Sequence, residues 1–338
     1  MSSVGPGGSV RPGSSVVRGG SVVPGGSVVP GGSVVVVGDV LLDLDVHGTV
    51  ERLCPDAPVP VLDVTGEVAR PGGAGLAAVL LAGTGVRTTL VTALAEDGDR
   101  VRELLAPTLD LVAGPATGGT PVKCRWHSPD GPLLRTDTGS GRPADEFGAA
   151  VRTGLRRALD DAGAVLVSDY GRGVTADPQV RRMLADAVAA GTPVVWDPHP
   201  KGTDPVPGVI MTPNAKEAAG ALGLPGGDPV GCAAELRRRR KSRAVVVTRG
   251  DRGAVLVTAS ERVAVPALDV TGGDPCGAGD AFAGRLAAAL AAGASLPAAV
   301  QSAVETAGRF VEAGGAATVR CVEGRWTQVG AGVSERAS

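Results

Sequence analysis

The sequence predicts a three-layer α/β/α fold with a mostly parallel central sheet and a small β-sheet lid, on three observations. Short β-branched runs alternate with helical stretches along most of the chain. Two extended segments break that alternation directly after a strand. Apolar residues make up 43% of the 338 positions and aromatics only 2%, so Ala, Val and Leu must build a core that this length can readily bury.

The first 32 residues stand apart. Ser21-Val-Val-Pro-Gly-Gly26 repeats as Ser27-Val-Val-Pro-Gly-Gly32, with looser copies upstream. Gly and Pro at that density disfavour helix and sheet interiors, and so few short repeats cannot stack into a solenoid. A flexible tail is expected over 1–32, a folded domain over 33–325 and a second tail over 326–338. Val34-Val-Val-Val37 reads as a buried parallel strand ending at Gly38-Asp39. Further strands are expected at Thr89 to Thr92, Ala164 to Ser168, Pro193 to Trp196, Val209 to Met211 and Ala244 to Thr248. Helices are expected at Gly75 to Ala82, Glu146 to Ala162 and Pro178 to Ala190. The interrupting segments, about 44–70 and 120–137, are expected to pair into a lid over the strand carboxyl ends, where open α/β sheets bind ligands.

Composition excludes several classes. A net charge of −2 gives no global attraction to nucleic acid or an anionic membrane. The run Arg237-Arg-Arg-Arg-Lys241 reads as a helix end, where cations complement the dipole. No apolar stretch reaches the roughly 18 residues of a membrane span, and no secretion signal is evident. Five cysteines, Cys54, Cys124, Cys232, Cys276 and Cys321, are scattered without CxxC spacing. They fit a reducing cytoplasm rather than a disulfide framework or a zinc site.

The chemistry concentrates in Asp274-Pro-Cys-Gly-Ala-Gly-Asp280. Downstream, Phe282, Leu286 and Leu290 recur every four residues, which is one face of a helix. Gly277-Ala278-Gly279 then lies at a helix N-terminus, where small residues let an anion approach free amides. Asp280 falls in the first turn, placed to take a proton from a hydroxyl attacking a phosphate. Spacing alone also allows a plain helix cap. There is no P-loop, no GxGxxG after the first strand, no Gly-x-Ser-x-Gly elbow and no His pair at metal-ligand spacing. Phosphoryl transfer is the class that remains.

These residues resemble a known family. Asp274 to Asp280 is similar to the second signature of ribokinase-like (PfkB) carbohydrate kinases, with Pro275 where the family has Thr. Arg70-Pro-Gly-Gly-Ala-Gly75 resembles the amino-terminal Gly-Gly motif. The nearest likeness is to heptose 7-phosphate kinase modules. It is carried by Gly38-Asp-Val-Leu-Leu-Asp43, Glu51-Arg-Leu-Cys-Pro-Asp-Ala-Pro-Val-Pro60, Ser168-Asp-Tyr-Gly-Arg-Gly173, Pro200-Lys-Gly-Thr-Asp204 and Thr212-Pro-Asn-Ala-Lys-Glu217.

The resemblance implies a ribokinase-like fold that uses ATP and Mg2+, and K+ in many members, to phosphorylate a sugar phosphate at its anomeric hydroxyl. Asp280 matches the catalytic base, and Gly277, Ala278 and Gly279 match the anion hole. Asp43, Gly72 and Gly73 match sugar-binding positions. Asn214, Ala215, Lys216 and Glu217 match the nucleotide and magnesium motif. Thr248, Gly250 and Gly253 match the nucleotide-side loop, and Asp274, with the loop near Ala316, a monovalent-cation site. Lys123 and Arg135 in the second lid segment suit a sugar phosphate, Arg through its bidentate fork. Arg125 and Arg52 are further lid cations. The lid often joins two copies in this family, so a homodimer is expected, with no nucleic-acid or membrane partner. Two departures stand out: Leu76 replaces a sugar-binding Asn, and the His-x-Gly-His motif of a nucleotidyltransferase is missing.

Overall fold

The structure, a computed structural model, describes residues 32–329. The tail expected at 1–32 lies, but for Gly32, outside the described residues, as do residues 330–338.

The described residues open with β1 (Ser33–Gly38), β2 (Val40–Leu53), β3 (Pro60–Gly73), α1 (Ala74–Gly83), β4 (Thr88–Leu94), α2 (Asp99–Leu105) and β5 (Asp110–Thr117). It continues through β6 (Val122–Ser128), β7 (Gly131–Thr138), β8 (Arg142–Pro143), α3 (Phe147–Asp160), β9 (Ala162–Ser168), α4 (Pro178–Ala189) and β10 (Val194–Asp197). Next come β11 (Ile210–Met211), α5 (Ala215–Gly220), α6 (Pro229–Arg240), β12 (Ala244–Thr248), β13 (Ala254–Val257) and β14 (Arg262–Val265). The last elements are α7 (Ala278–Ala291), α8 (Leu296–Glu312), β15 (Val319–Val322) and β16 (Arg325–Gln328).

Ten strands form the central sheet in the order β14-β13-β12-β11-β10-β9-β1-β4-β5-β8. From β12 to β5 the strands are parallel, and antiparallel strands close both edges. The unbroken valine run of β1 is explained by burial on both faces. Val34 and Val36 pack into a core with α1, α7 and α8, whereas Val35 and Val37 pack into one with α3, α4 and α6. The Ala-rich α7 lies against this sheet and α8. Its Ala281, Ala283, Ala287 and Ala288 are all buried, so short side chains let the backbones approach.

The two interrupting segments form a four-stranded sheet in the order β3-β2-β6-β7, mixed in direction because β2 and β6 run parallel. Its first hairpin, 40–73, is longer than the expected segment 44–70, since β2 leaves the central sheet after a break of one residue, Asp39, while the second, 122–138, falls close to the expected 120–137. Asp39 accounts for that sharp departure. Its buried carboxylate accepts the backbone N–H groups of Tyr170 (3.0 Å), Arg172 (2.9 Å) and Val174 (3.0 Å), stitching the β1 exit to the loop after β9.

The expected boundary at 325 also moves. Trp326 lies in β16, is 3% exposed, and donates its indole N–H to the Leu104 carbonyl at 3.0 Å. The folded unit therefore runs through β16, held by an aromatic side chain that fills the gap beside α1 and α2.

Candidate active site

Parallel strands deliver their loops to one end of the sheet, and the polar cluster forms there. Asp280 sits in the first turn of α7 and is 6% exposed. Gly277, the residue before the helix, has φ 82°, and a Cβ there would lie 2.9 Å from Leu76 Cδ2. Only glycine meets both demands at low cost. The first amides of a helix lack partners within it. That of Ala278 turns back to the Pro275 carbonyl at 3.1 Å, and the space around a Cβ on Gly279 is open. Leu76 is buried against this loop, so where the family places a polar sugar contact this chain has apolar packing.

Burial raises the Asp280 carboxyl to about 7, helped by the nearby Asp43 charge and opposed by the Tyr170 hydroxyl and Lys123. Tyr170 donates to the carboxylate, with its hydroxyl 3.0 Å from both Asp280 oxygens. Lys123 Nζ lies 5.2 Å from the Tyr170 ring centroid, a cation–π distance. Burial lowers the Lys123 ammonium from its ordinary value, against the pull of Asp43.

The lid supplies the next layer. Parallel register pairs Asp43 with Lys123, Asp45 with Arg125 and His47 with His127. A period of two places these six side chains on one face of the lid. Arg125 donates to Asp43 at 2.9 Å and reaches the Cys276 sulfur at 3.9 Å, joining the lid to the loop before α7. Behind it Arg70 and Asp45 form a buried ion pair. Burial pushes the Asp45 carboxyl up, and Arg70 and Arg125 more than reverse this, holding it below its ordinary value. Gly72 follows from the same crowding, because a Cβ there would lie 2.4 Å from Asp43 Oδ2. Gly73 has φ 59°, and its Cβ would strike the Asp39 carbonyl at 2.5 Å.

Arg135 lies directly opposite Arg125 on β7, one strand farther from Asp43. Its guanidinium forms a bidentate pair with Asp137 at 2.7 and 2.6 Å, and about half of its side chain is exposed. The lid cation on Asp43 is therefore Arg125 rather than Arg135. Arg52 likewise turns to the exposed Asp63.

The residues expected to face a nucleotide gather a few strands away. Asn214 and Glu217 form a capping box at α5. The Asn214 side chain accepts from the Glu217 N–H, and the Glu217 carboxylate accepts from the Asn214 N–H, both at 2.9 Å. Burial raises the Glu217 carboxyl despite those bonds. Ala215 and Lys216 fill the first turn, and Asn214 bridges to Thr248 at the end of β12. Gly250 (φ 61°) and Gly253 (φ 76°) shape the next turn. A Cβ on Gly253 would come within 2.1 Å of the Val265 carbonyl. Asp274 accepts the Cys276 N–H at 2.9 Å, and the Cys276 carbonyl accepts the Ala316 N–H at 2.9 Å, so these two loops lie together.

Four residues of the site escape sequence reasoning. Tyr170 and Asp169 lie in the Ser168 to Gly173 motif, where no local pattern gives either a role. Asp169 accepts from Gly171 N (2.8 Å), Thr203 N (2.8 Å) and Thr175 Oγ1 (2.9 Å), tying the Lys201-Gly-Thr loop to the site. Asp39 reads in the sequence only as the loop after a strand. Asp197, at the end of β10, is raised well above the ordinary carboxylate range by burial and by Asp280, although Thr212 donates to it at 2.8 Å. Its position as the last residue of an apolar strand is the available signal.

Crystal structures share this architecture. Phosphofructokinase-2 from Escherichia coli in complex with fructose-6-phosphate superposes with a TM-score of 0.63 at 19% identity, covering 83% of this chain and 94% of its own. Arabidopsis thaliana ribokinase complexed with ribose and ATP gives 0.62 at 19% identity, over 83% and 93%. The fold is thus ribokinase-like. Residues 181–321 match the pfkB family carbohydrate kinase description. Two curated relatives, each named bifunctional protein HldE, align along most of the chain. The Streptomyces coelicolor protein is 49% identical over 82% of this chain and 60% of its own length. The Paramagnetospirillum magneticum protein is 37% identical over 80% and 58%. The chain carries a PfkB carbohydrate kinase domain, and it spans about 60% of the length of the curated relatives it matches.

Proposed function

We propose that this chain is an ATP-dependent kinase of a phosphorylated sugar, with D-glycero-D-manno-heptose 7-phosphate as acceptor and its anomeric hydroxyl as the attacking group. The observation that carries the reading is the buried Asp280 carboxyl, raised to about 7 beside the amides that open α7. It is about half ionised at neutrality and largely ionised above it, and the ionised form accepts the hydroxyl proton as that oxygen attacks the terminal phosphoryl of ATP. Gly277, Ala278 and Gly279 present a small-residue helix terminus to the charge on the transferring group. Asp43, with Gly72 and Gly73 beside it, receives sugar hydroxyls, and Lys123 and Arg125 answer the substrate phosphate.

Asn214 to Glu217 and Thr248 to Gly253 receive the nucleotide. Among the described residues no cluster of three or more His, Cys, Asp or Glu forms a ready metal site. Mg2+ would therefore be held chiefly by ATP phosphates and water, with Glu217 facing it, as this hard and tightly hydrated ion prefers. When bound it supplies charge neutralisation along the phosphate chain. The Asp274 and Cys276 carbonyls lie beside Gly315, and Asp274 with this loop would be the oxygen donors offered to K+.

The lid exposes Val50, Leu53, Val59, Val64, Leu133 and Leu134. An apolar set of this kind on one small sheet supports a homodimer through the lid. No helix among the described residues is long and apolar enough to cross a membrane. The five cysteines are free thiols, and a cytoplasmic site of action fits them.

The test is ADP release across sugars, sugar phosphates and nucleosides, with Mg2+ and K+ present. Heptose 7-phosphate should give the highest kcat/KM. A higher value for an unphosphorylated hexose or a nucleoside would replace this substrate. Ligand binding without ADP release from any acceptor would replace the catalytic reading.

A further inference from the structure

Tyr170 is neither the base nor a substrate contact in the proposed reaction, yet three observations converge on it. Its hydroxyl is 3.0 Å from both oxygens of Asp280. Its backbone N–H is fixed by Asp39 Oδ2 at 3.0 Å, so the ring starts from a pinned position at the end of β9. Its ring stacks on His199, with centroids 6.0 Å apart and planes at 23°, and Lys123 Nζ of the lid lies 5.2 Å from its centroid. One ring thus touches the proposed base, the loop after β10 and the lid.

We propose that Tyr170 is a positioning residue for Asp280: its hydroxyl fixes the carboxylate orientation, stabilises the ionised form, and links the base to lid residue Lys123. This rests on Asp280 being the base. A hydroxyl that donates to a carboxylate favours the charged state, and a centred donor leaves both oxygens in a defined plane. The acceptor hydroxyl then meets an oriented anion rather than a freely rotating one. Lys123 acts in the same direction as Tyr170, stabilising the anion and sitting on the ring that holds it. Asp43 from β2 and Asp197 from β10 oppose both, while Arg125 neutralises Asp43. Removing the hydroxyl therefore unbalances a site in which two acids already press on Asp280.

The sequence offers a direct probe, because Tyr170 is the protein's single tyrosine. Growth on 3-fluorotyrosine labels that side chain alone, and 19F NMR follows it from pH 5 to pH 9 without any need for turnover. The resonance should titrate with a midpoint near 7, as Asp280 ionises, and Asp280→Asn should abolish that inflection. An inflection that persists in Asp280→Asn comes from another neighbour of the ring, His199 or Lys123, and overturns the proposal, as does a resonance that does not move. In kinetics, Tyr170→Phe should shift the acid limb of kcat/KM upward by about one pH unit. The resulting loss should be roughly tenfold near pH 6 and should shrink above pH 8. A loss equal at every pH, with the limb unmoved, contradicts the proposal. Activity in Asp280→Asn separates the two ideas. If that variant keeps turnover, the base assignment fails. If it is inactive while Tyr170→Phe keeps the wild-type limb, only the role of Tyr170 fails.

Discussion

The two halves of the candidate site are built on different principles. On the acceptor side, charged side chains from the lid and core press together: Asp280, Asp43, Lys123 and Arg125 are buried or partly buried and pair with one another or with Tyr170. On the proposed nucleotide side, Asn214 and Glu217 spend their polar atoms capping α5, and Gly250 and Gly253 contribute backbone shape. Burial makes the first half sensitive to any change of charge, because a desolvated group that loses its partner cannot recover it from water. In the second half Asn214 is exposed, so water can replace much of what its side chain supplies.

That contrast predicts a gradient of effects. The largest belongs to Asp280→Asn, which should lower kcat roughly 10²–10⁴-fold while ATP binding, measured by calorimetry, persists. Loss of ATP affinity in that variant would show the halves to be coupled. Next, Arg125→Leu leaves Asp43 without the guanidinium 2.9 Å away. It should cost on the order of 2–3 kcal/mol in urea unfolding and raise KM for the sugar phosphate more than KM for ATP.

Asp280→Asn should also change stability, with a definite sign. Burial lifts this carboxyl from an ordinary value near 3.8 to about 7, so the folded chain holds a proton that the unfolded chain releases. The native state is penalised increasingly between about pH 4 and pH 7, and fully above. The amide variant escapes that penalty. It should gain about 1–3 kcal/mol over the wild type at pH 8 and little at pH 4.5. On the other half, Asn214→Ala removes a cap and should cost about 1 kcal/mol in the same unfolding measurement, with a few-fold rise in KM for ATP. The smallest effect belongs to Arg135→Ala. Its exposed pair with Asp137 should contribute under about 0.5 kcal/mol, and KM for the sugar phosphate should stay near wild type. A large rise there would move the lid's phosphate contact back to Arg135.

The central sheet was legible because buried parallel strands leave an unambiguous trace, as in Val34 to Val37 and Ala244 to Thr248. The α7 terminus was legible because Phe282, Leu286 and Leu290 fix the helix phase and so place Asp280 in its first turn. The lid was visible as a break in alternation, although its first strand begins earlier, since Asp39 ends β1 only by contacts to residues 131, 133 and 135 positions away. Tyr170 and Asp197 were hidden for the same reason: their importance arises where the ends of β9 and β10 meet α7. That Arg125 rather than Arg135 meets Asp43 depends on the register of β2 on β6, which no local pattern encodes. Trp326 looked like part of a tail because its contact with Leu104 lies 222 residues back.

Whether a buried carboxylate, tuned to neutrality, takes the acceptor's proton is tested most directly by the pH dependence of kcat/KM. The measurement uses the wild-type enzyme with heptose 7-phosphate and saturating MgATP. A rise of unit slope through an apparent pKa of about 7, with a plateau above it, is the expected result. A profile flat from pH 5 to pH 8, or a limb near the ordinary carboxylate value of about 4, would contradict it.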